Sequence, residues 1–135
     1  MAFKIMKKRI YVEDSYHTET IVRNLQKIVG ENASVVDSLS GEGKFDFFFL
    51  SGRDVKDGHH NIPEMKKNLG NPGIKAIAVS TLPSYLVSIQ KQPELDVDYV
   101  LDKSVLVEGL VLATSPRPGS DGEKLLSILD MNLSD

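Results

Sequence analysis

Two adjacent carboxylates, Glu13 and Asp14, directly follow a short apolar run and precede an amphipathic helical pattern. In an α/β protein with a parallel sheet, the carboxyl ends of the strands meet at one edge, where ligands bind. An acidic pair at such an edge suits a cation site, or the positive end of the next helix. The residues that the other strand ends bring to the same edge therefore decide the function.

Polar residues also follow the later apolar runs of the chain. Ser51 follows the third predicted strand, Ser80 follows the fourth, and Lys103 comes soon after the fifth. Two acids, a hydroxyl and an amine at one sheet edge are not required for packing. Their spacing therefore indicates a site.

Strands are predicted to alternate with helices nearly throughout, which indicates an α/β fold with a parallel sheet. Ser15 is expected to cap the first helix and Gly30 to end it, and Ser104 is expected to cap the helix after the fifth strand. Residues 38–44 contain two glycines and predict a loop rather than a full helix. The predicted strands are residues 10–12, 34–36, 45–50, 74–79 and 97–101.

The rest of the chain divides into loops and a final helix. Residues 51–54 are predicted to form a turn, and residues 55–61 a polar loop. The main domain is expected to span residues 8–113, followed by a linker at 114–122 with two prolines and two glycines. Residues 123–135 predict a C-terminal amphipathic helix, which either folds onto the domain or forms a dimer. Its apolar face would carry Leu125, Leu126, Leu129 and Leu133.

Composition excludes several classes of function. The 135 residues fit one domain, and a net charge of −3 gives no electrostatic case for binding nucleic acid or an anionic membrane. The absence of cysteine excludes disulfides and thiolate catalysis. No apolar run reaches about 18 residues, and the N-terminus lacks the apolar segment of a signal peptide. We therefore expect a cytoplasmic protein.

Four segments of the sequence resemble the receiver domain of two-component response regulators, which has a flavodoxin-like (βα)5 fold. They are Val-Glu-Asp-Ser at 12–15, the helix segment at 21–25, Ala-Val-Ser-Thr at 78–81 and Asp-Tyr-Val-Leu-Asp-Lys at 98–103. The resemblance runs from about residue 8 to residue 113. It implies a five-stranded parallel sheet in the order 2-1-3-4-5. The second helix would be shortened or absent, and the C-terminal helix would be an addition.

The resemblance also implies roles for individual residues. In the family, an acidic pair helps to hold Mg²⁺, and an aspartate that ends the third strand accepts a phosphoryl group. Carried over, Glu13 and Asp14 would be the metal pair, Ser80 the switch hydroxyl and Lys103 the phosphate contact. The acceptor position, however, is Ser51. Further departures are a serine after the lysine, where the family usually has proline, and Tyr99 one place before the usual switch aromatic residue.

Serine at the acceptor position changes the expected chemistry. It is neutral, weakly nucleophilic without a base, and a poor ligand for a hard dication. No cofactor is therefore expected, and Mg²⁺ would bind weakly. Lys103 would instead pair directly with Glu13 or Asp14.

These expectations describe a pseudo-receiver that is not an enzyme. It would act as a signalling or protein-interaction module, independently of phosphorylation. The partner surface would lie on the fourth helix, fifth strand and fifth helix, about residues 84–110. A homodimer is an alternative, and neither nucleic acid nor a membrane is expected as a partner.

Three other interpretations remain open. The chain could be a phosphorylatable receiver with a displaced acceptor, Asp54 or Asp46, or His59 and His60 could form a metal group with Glu64. The third is a metal-dependent nuclease, because residues 11–14 also resemble the first motif of Toprim nuclease and primase domains. The Asp-x-Asp motif expected after the third strand is missing, which counts against two-metal chemistry. A Mg²⁺-dependent nicking assay with Glu13→Ala as control distinguishes this last interpretation.

Overall fold

The protein is built around a five-stranded sheet in which every neighbouring pair of strands is parallel. The computed structural model describes residues 8–40, 43–108 and 120–133, with residues 130–133 described by their backbone alone. The strand order is β2-β1-β3-β4-β5, which confirms the predicted topology. The strands are β1 (Lys8–Glu13), β2 (Ala33–Val36), β3 (Phe45–Ser51), β4 (Gly70–Ser80) and β5 (Tyr99–Asp102).

Helices cover both faces of this sheet. The helices are α1 (Thr18–Val29), α2 (Gly52–Lys56), α3 (Ile62–Leu69), α4 (Pro83–Gln90), α5 (Ser104–Val107) and α6 (Asp121–Leu133), with 3-10 turns at Gly30–Asn32 and Pro93–Leu95. The described part of the β2–β3 connection, residues 37–40 and 43–44, contains no helix, as the loop prediction there required. The prediction of a turn and loop directly after β3 was wrong, because residues 52–56 form α2.

Side chains alternate between two apolar layers along the central strand β3. Phe47 and Phe49 lie in one core cluster with α1, α5 and α6, whereas Phe48 and Leu50 lie in the other with α2, α3 and α4. All four side chains are fully buried. A strand that is apolar on both faces belongs at the centre of a parallel sheet, and this one does.

The C-terminal helix α6 folds onto the same domain. Leu125, Ile128 and Leu129 are buried in the cluster that contains α1 and α5. Leu126, which was expected on the apolar face, is partly exposed. The helix begins at Asp121, two residues before its predicted start. Most of the predicted linker and the side chain of Leu133 lie outside the described residues.

Four predicted strand starts were displaced. β1 begins at Lys8 and β2 at Ala33, two residues and one residue before their predicted starts. β4 begins at Gly70, four residues before the predicted start, and β5 begins at Tyr99, two residues after it. Within residues 8–40, 43–108 and 120–133, no helix has the length and apolar character needed to cross a membrane.

Candidate functional site

Polar residues of four strand ends converge at the carboxyl edge of the sheet. Ser51 ends β3 beside Val79 of β4, and Ser80 ends β4 beside Asp102 of β5. The backbone N–H of Lys103 donates to the carbonyl oxygen of Ser80 at 3.0 Å. Across the residues with described side chains, the buried polar or charged side chains are those of Asp14, Ser51, Ser80 and Lys103. All four belong to this edge, and the sequence singled out each of them.

Asp14 and Lys103 form a direct ion pair within this edge. Lys103 Nζ lies 3.1 Å from Asp14 Oδ2 and 3.3 Å from Oδ1. The Asp14 side chain is fully buried, and that of Lys103 is 11% exposed. Asp14 Oδ2 also accepts the backbone N–H groups of His17 at 2.9 Å and Tyr16 at 3.2 Å. Both carboxylate oxygens therefore have donors, which is the condition for a buried charge to be tolerated.

The turn between β1 and α1 is held by Asp14 rather than by Ser15. The hydroxyl of Thr18 donates to the carbonyl oxygen of Asp14 at 2.7 Å and accepts from its N–H at 2.9 Å. His17 occupies the position before the first helical residue, and its side chain makes no capping hydrogen bond. The prediction that Ser15 caps α1 was wrong, because the Asp14 carboxylate already takes the N–H groups of this turn. Gly30 ends α1, as predicted.

A second capping prediction, for Ser104, was also wrong. Asp102 Oδ1 accepts both the backbone N–H of Ser104, at 2.9 Å, and its hydroxyl, at 2.5 Å. Ser104 is the first residue of α5, and the preceding Lys103 makes no side-chain cap. The prediction was wrong because Ser104 is already the first helical residue, and its hydroxyl donates to Asp102 while the N–H groups of Leu106 and Val107 donate to the Lys103 carbonyl oxygen. Leu110 and Val111, which the spacing of apolar residues in the sequence also assigns to this helix, lie outside the described residues.

Ser51 and Ser80 lie where helix α2 packs closely against strand β4. Ser80 Oγ accepts the N–H of Leu82 at 3.0 Å and so stabilises the turn that leads into α4. Gly52 follows Ser51 and begins α2, where a Cβ atom would lie 3.1 Å from Ser80 Cβ and 3.2 Å from the Val79 carbonyl oxygen. The glycine thus lets α2 approach β4 closely. Ser51 is buried at this point of contact.

Tyr99 lies away from the strand ends. It is the first residue of β5, beside Ile77 of β4, and it packs half-buried against the core cluster that contains α1 and α6. Its role as a switch aromatic residue stays a prediction.

Glu13 contacts different residues from those that Asp14 contacts. Tyr11 donates its hydroxyl to Glu13 Oε2 at 2.8 Å, and His60 Nε2 lies 3.1 Å from Glu13 Oε1. Successive strand residues face opposite sides of a sheet, so Tyr11 and Glu13 share the face that α2 and α3 cover. Burial and the hydrogen bond to Glu13 raise the pKa of Tyr11 above its usual range. Glu13 and Asp14 therefore contact different residues, and the metal pair that the resemblance implied stays a prediction.

Asp54 and His60 join Glu13 at this second position. One possible ligand atom from each of the three residues lies within 4.8 Å of the other two. Asp54 also approaches His59, whose Nδ1 is 3.3 Å from Oδ1, and Ser15, whose hydroxyl is 3.4 Å from Oδ2.

The group of His59, His60 and Glu64 considered from the sequence is not the one that the structure assembles. Glu64 instead accepts from the Asn61 side chain at 3.2 Å, at the start of α3. The alternation of side chains along a strand was the sequence signal that could have identified the observed group of Glu13, Asp54 and His60. It places Glu13 on the side of the sheet where the loop after α2 lies.

Asp46, the other candidate acceptor, lies near the beginning of β3 and therefore far from the strand ends. Its carboxylate accepts the backbone N–H of Arg9 at 2.9 Å and the side-chain amide of Asn71 at 3.1 Å. These bonds connect β3 to β1 and to the start of β4. They give Asp46 a structural role at the opposite end of the sheet.

The architecture is the flavodoxin-like (βα)5 fold of receiver domains. The crystal structure of the phosphorylated cyanobacterial phytochrome response regulator RcpA is similar, with a TM-score of 0.56 and 15% sequence identity. The alignment covers 96% of this chain and 96% of that one, so it extends beyond residues 8–113. No protein-family model and no curated protein matches the sequence. At this level of identity, the similarity establishes the fold alone.

Proposed function

We propose that this chain is a receiver-like signalling module that acts by contact with a partner protein and is not phosphorylated. The observation that carries the proposal is the direct pair between Lys103 and the fully buried Asp14, at 3.1 Å, beside a serine that ends β3. The receiver fold supports a role in signalling. The residues at the strand ends support a role without phosphoryl transfer.

The chemistry of the edge argues against an acceptor at Ser51. A serine hydroxyl needs a base before it can attack, whereas an aspartate is already ionised at neutral pH. Mg²⁺ also requires oxygen ligands in a near-octahedral arrangement and loses its water reluctantly. To bind Asp14, the ion would have to compete with the Lys103 ammonium group at either oxygen, and at Oδ2 also with two backbone N–H groups.

The proposed partner surface is the face formed by α4, β5 and α5, within residues 84–110. Leu82, just before α4, and Val87, within it, are large apolar side chains that are exposed. Exposed apolar side chains at this face would be removed from water by a protein partner. A second copy of the chain is the alternative occupant.

One observation favours a second candidate function, a receiver with a displaced acceptor. Asp54 follows β3 by three residues, and its carboxylate lies close to that of Glu13. A phosphoryl group on Asp54 would lie beside this second carboxylate. Lys103, which the resemblance assigns to the phosphoryl group, is paired with Asp14 instead.

Intact-mass spectrometry after incubation with acetyl phosphate and Mg²⁺ tests both functions. We expect no phosphorylated species in the wild-type chain, under conditions in which an active response regulator is fully modified. Asp54→Asn and Ser51→Ala are run in parallel. Stoichiometric phosphorylation of the wild type that Asp54→Asn abolishes would establish the second candidate function. Loss with Ser51→Ala would instead show that the serine is an acceptor, and either result would contradict the proposal.

The contact part of the proposal has its own test. The wild-type chain and Val87→Glu are used as baits in the native cell, and co-purified proteins are compared. A protein captured by the wild type and lost with Val87→Glu supports the surface, provided that Glu123→Gln, far along the chain on α6, retains it. Capture that is unaffected by Val87→Glu would place the partner surface elsewhere.

A further inference from the structure

We propose that Glu13, Asp54 and His60 form a binding site for a divalent transition-metal ion, with Zn²⁺ as the ion to test. The three side chains come from the end of β1, from α2 and from the loop between α2 and α3. One ligand atom of each lies within 4.8 Å of the other two. Ligand atoms around a tetrahedral Zn²⁺ lie about 3.4 Å apart, given bonds of about 2.1 Å. Small rotations of the side chains would bring the three atoms to that spacing.

His60 supplies an independent indication of a ligand. Its side chain is only 9% exposed, and its Nε2 atom is buried without a hydrogen-bond partner among the described residues. Glu13 Oε1 is 3.1 Å away, but the two atoms are not oriented as a hydrogen bond. A buried polar atom without a partner is costly, and a neutral imidazole nitrogen is a common metal ligand. A metal ion between His60 and the two carboxylates would satisfy it.

The surrounding contacts orient the carboxylates in the way that outer contacts of metal sites do. Tyr11 donates to Glu13 Oε2 at 2.8 Å, and this bond leaves Oε1 facing His60. The Ser15 hydroxyl lies 3.4 Å from Asp54 Oδ2. Glu13 is thus restrained through Oε2 and keeps Oε1 for an ion. Asp54 Oδ1 also lies 3.3 Å from His59 Nδ1, so an ion at that oxygen would compete with His59.

The set of ligands selects the class of metal. Imidazole nitrogen suits zinc, copper, iron and nickel, whereas Mg²⁺ and Ca²⁺ prefer oxygen throughout. Three protein ligands, here one imidazole and two carboxylates, would leave the fourth position of a tetrahedral ion to water, as in open zinc sites. The site shares only Glu13 with the magnesium pair that the family resemblance implies. It does not depend on Ser51 or on a partner protein, so it stands or falls separately from the proposed function.

Isothermal titration calorimetry of the full chain without an affinity tag tests the site, with Zn²⁺ as the titrant. We expect one equivalent to bind. His60→Gln and Glu13→Gln should each weaken binding by more than tenfold, because loss of an outer contact alone costs about 10- to 100-fold. The matched controls are His17→Gln and Glu64→Gln. Each removes an imidazole or a carboxylate that lies outside the proposed site. Both controls should keep wild-type affinity.

Nuclear magnetic resonance of the histidine side chains gives a second readout that needs no variant. Addition of Zn²⁺ should shift the Nε2 resonance of His60 and leave that of His17 unchanged. The proposal is overturned if the wild type shows no stoichiometric binding, if the His60 resonance does not respond, or if Glu64→Gln abolishes binding while Glu13→Gln retains it. Mg²⁺ binding as tight as Zn²⁺ binding would overturn the assigned class of metal.

Discussion

Lys103 Nζ and Asp14 Oδ2 lie 3.1 Å apart across the carboxyl edge of the sheet, and they join the end of β5 to the end of β1. The chain segments that carry them are 89 residues apart in sequence. Because Asp14 is fully buried, its charge depends on this ammonium group and on two backbone N–H groups. The pair therefore ties the two strand ends together.

Replacement of Lys103 by methionine should strongly destabilise the fold. It leaves the buried Asp14 carboxylate without its countercharge, and breaking a buried pair in this way costs about 3–5 kcal/mol. The double variant Asp14→Asn/Lys103→Met should be more stable than Lys103→Met alone, because it also removes the unpaired charge. Urea denaturation at neutral pH measures the free energies of unfolding. Effects of the two substitutions that simply add would show that the two groups are not coupled.

Much of the fold and of this edge could be predicted from the sequence. Parallel strands place their carboxyl ends together, so the polar residues after apolar runs identified Asp14, Ser51, Ser80 and Lys103 as neighbours. The pairing of Lys103 with one acid of Glu13 and Asp14 followed from the missing third carboxylate. Which of the two acids it would contact was left open.

Other features could not be predicted because they depend on contacts between distant segments. α2 is five residues long, too short to show a helical period, so residues 52–56 were interpreted as turn and loop. Because of this error, the sequence analysis did not predict that Asp54 lies near Glu13, and it grouped His60 with Glu64 instead. Capping failed at Ser15 because the Asp14 carboxylate takes the N–H groups of that turn, and at Ser104 because this residue is already the first residue of the helix. The apolar face of α6 was visible in the sequence, but the surface that it covers was not.

Mg²⁺ should leave the thermal midpoint of the wild-type chain unchanged at millimolar concentrations. A site with a dissociation constant of about 1 mM would add about 1.4 kcal/mol at about 10 mM Mg²⁺, which would raise the midpoint by several degrees. The Asp14 carboxylate is occupied by Lys103, so this gain is not expected. Differential scanning calorimetry with and without Mg²⁺ measures it. A rise that disappears in Asp14→Asn would establish a working magnesium site at this carboxylate.

Leu125 and Leu126 of α6 should respond very differently to truncation. Leu125 is fully buried against the cluster of α1 and α5, so Leu125→Ala should cost about 2–5 kcal/mol. Leu126 is 36% exposed, and its replacement by alanine should cost clearly less. Urea denaturation at two protein concentrations provides the measurement. Equal effects, or a stability that depends on concentration, would mean that α6 is stabilised by a second copy of the chain.

The hydrogen bond from Tyr11 to Glu13 should make part of the stability dependent on pH above about 10, the usual pKa of tyrosine. Because burial and the Glu13 carboxylate raise the pKa of Tyr11 in the folded state, the folded chain retains the phenolic proton at a pH where the unfolded chain loses it. The contribution is therefore fully present below the unfolded pKa and declines as the pH rises through the interval between the two values.

Tyr11→Phe isolates this contribution from the titration of lysines and of the other tyrosines. At neutral pH the variant should be less stable by about 1.5–3 kcal/mol, the usual range for a hydrogen bond to a charged group. The difference between wild type and variant should shrink as the pH is raised from 8 to 11, because only the wild type loses stability through this proton. Urea denaturation at a series of pH values measures the difference. Tyr85→Phe, on α4 and away from Glu13, is the control that should show no such convergence, and a difference that stays constant for Tyr11→Phe would contradict the assignment.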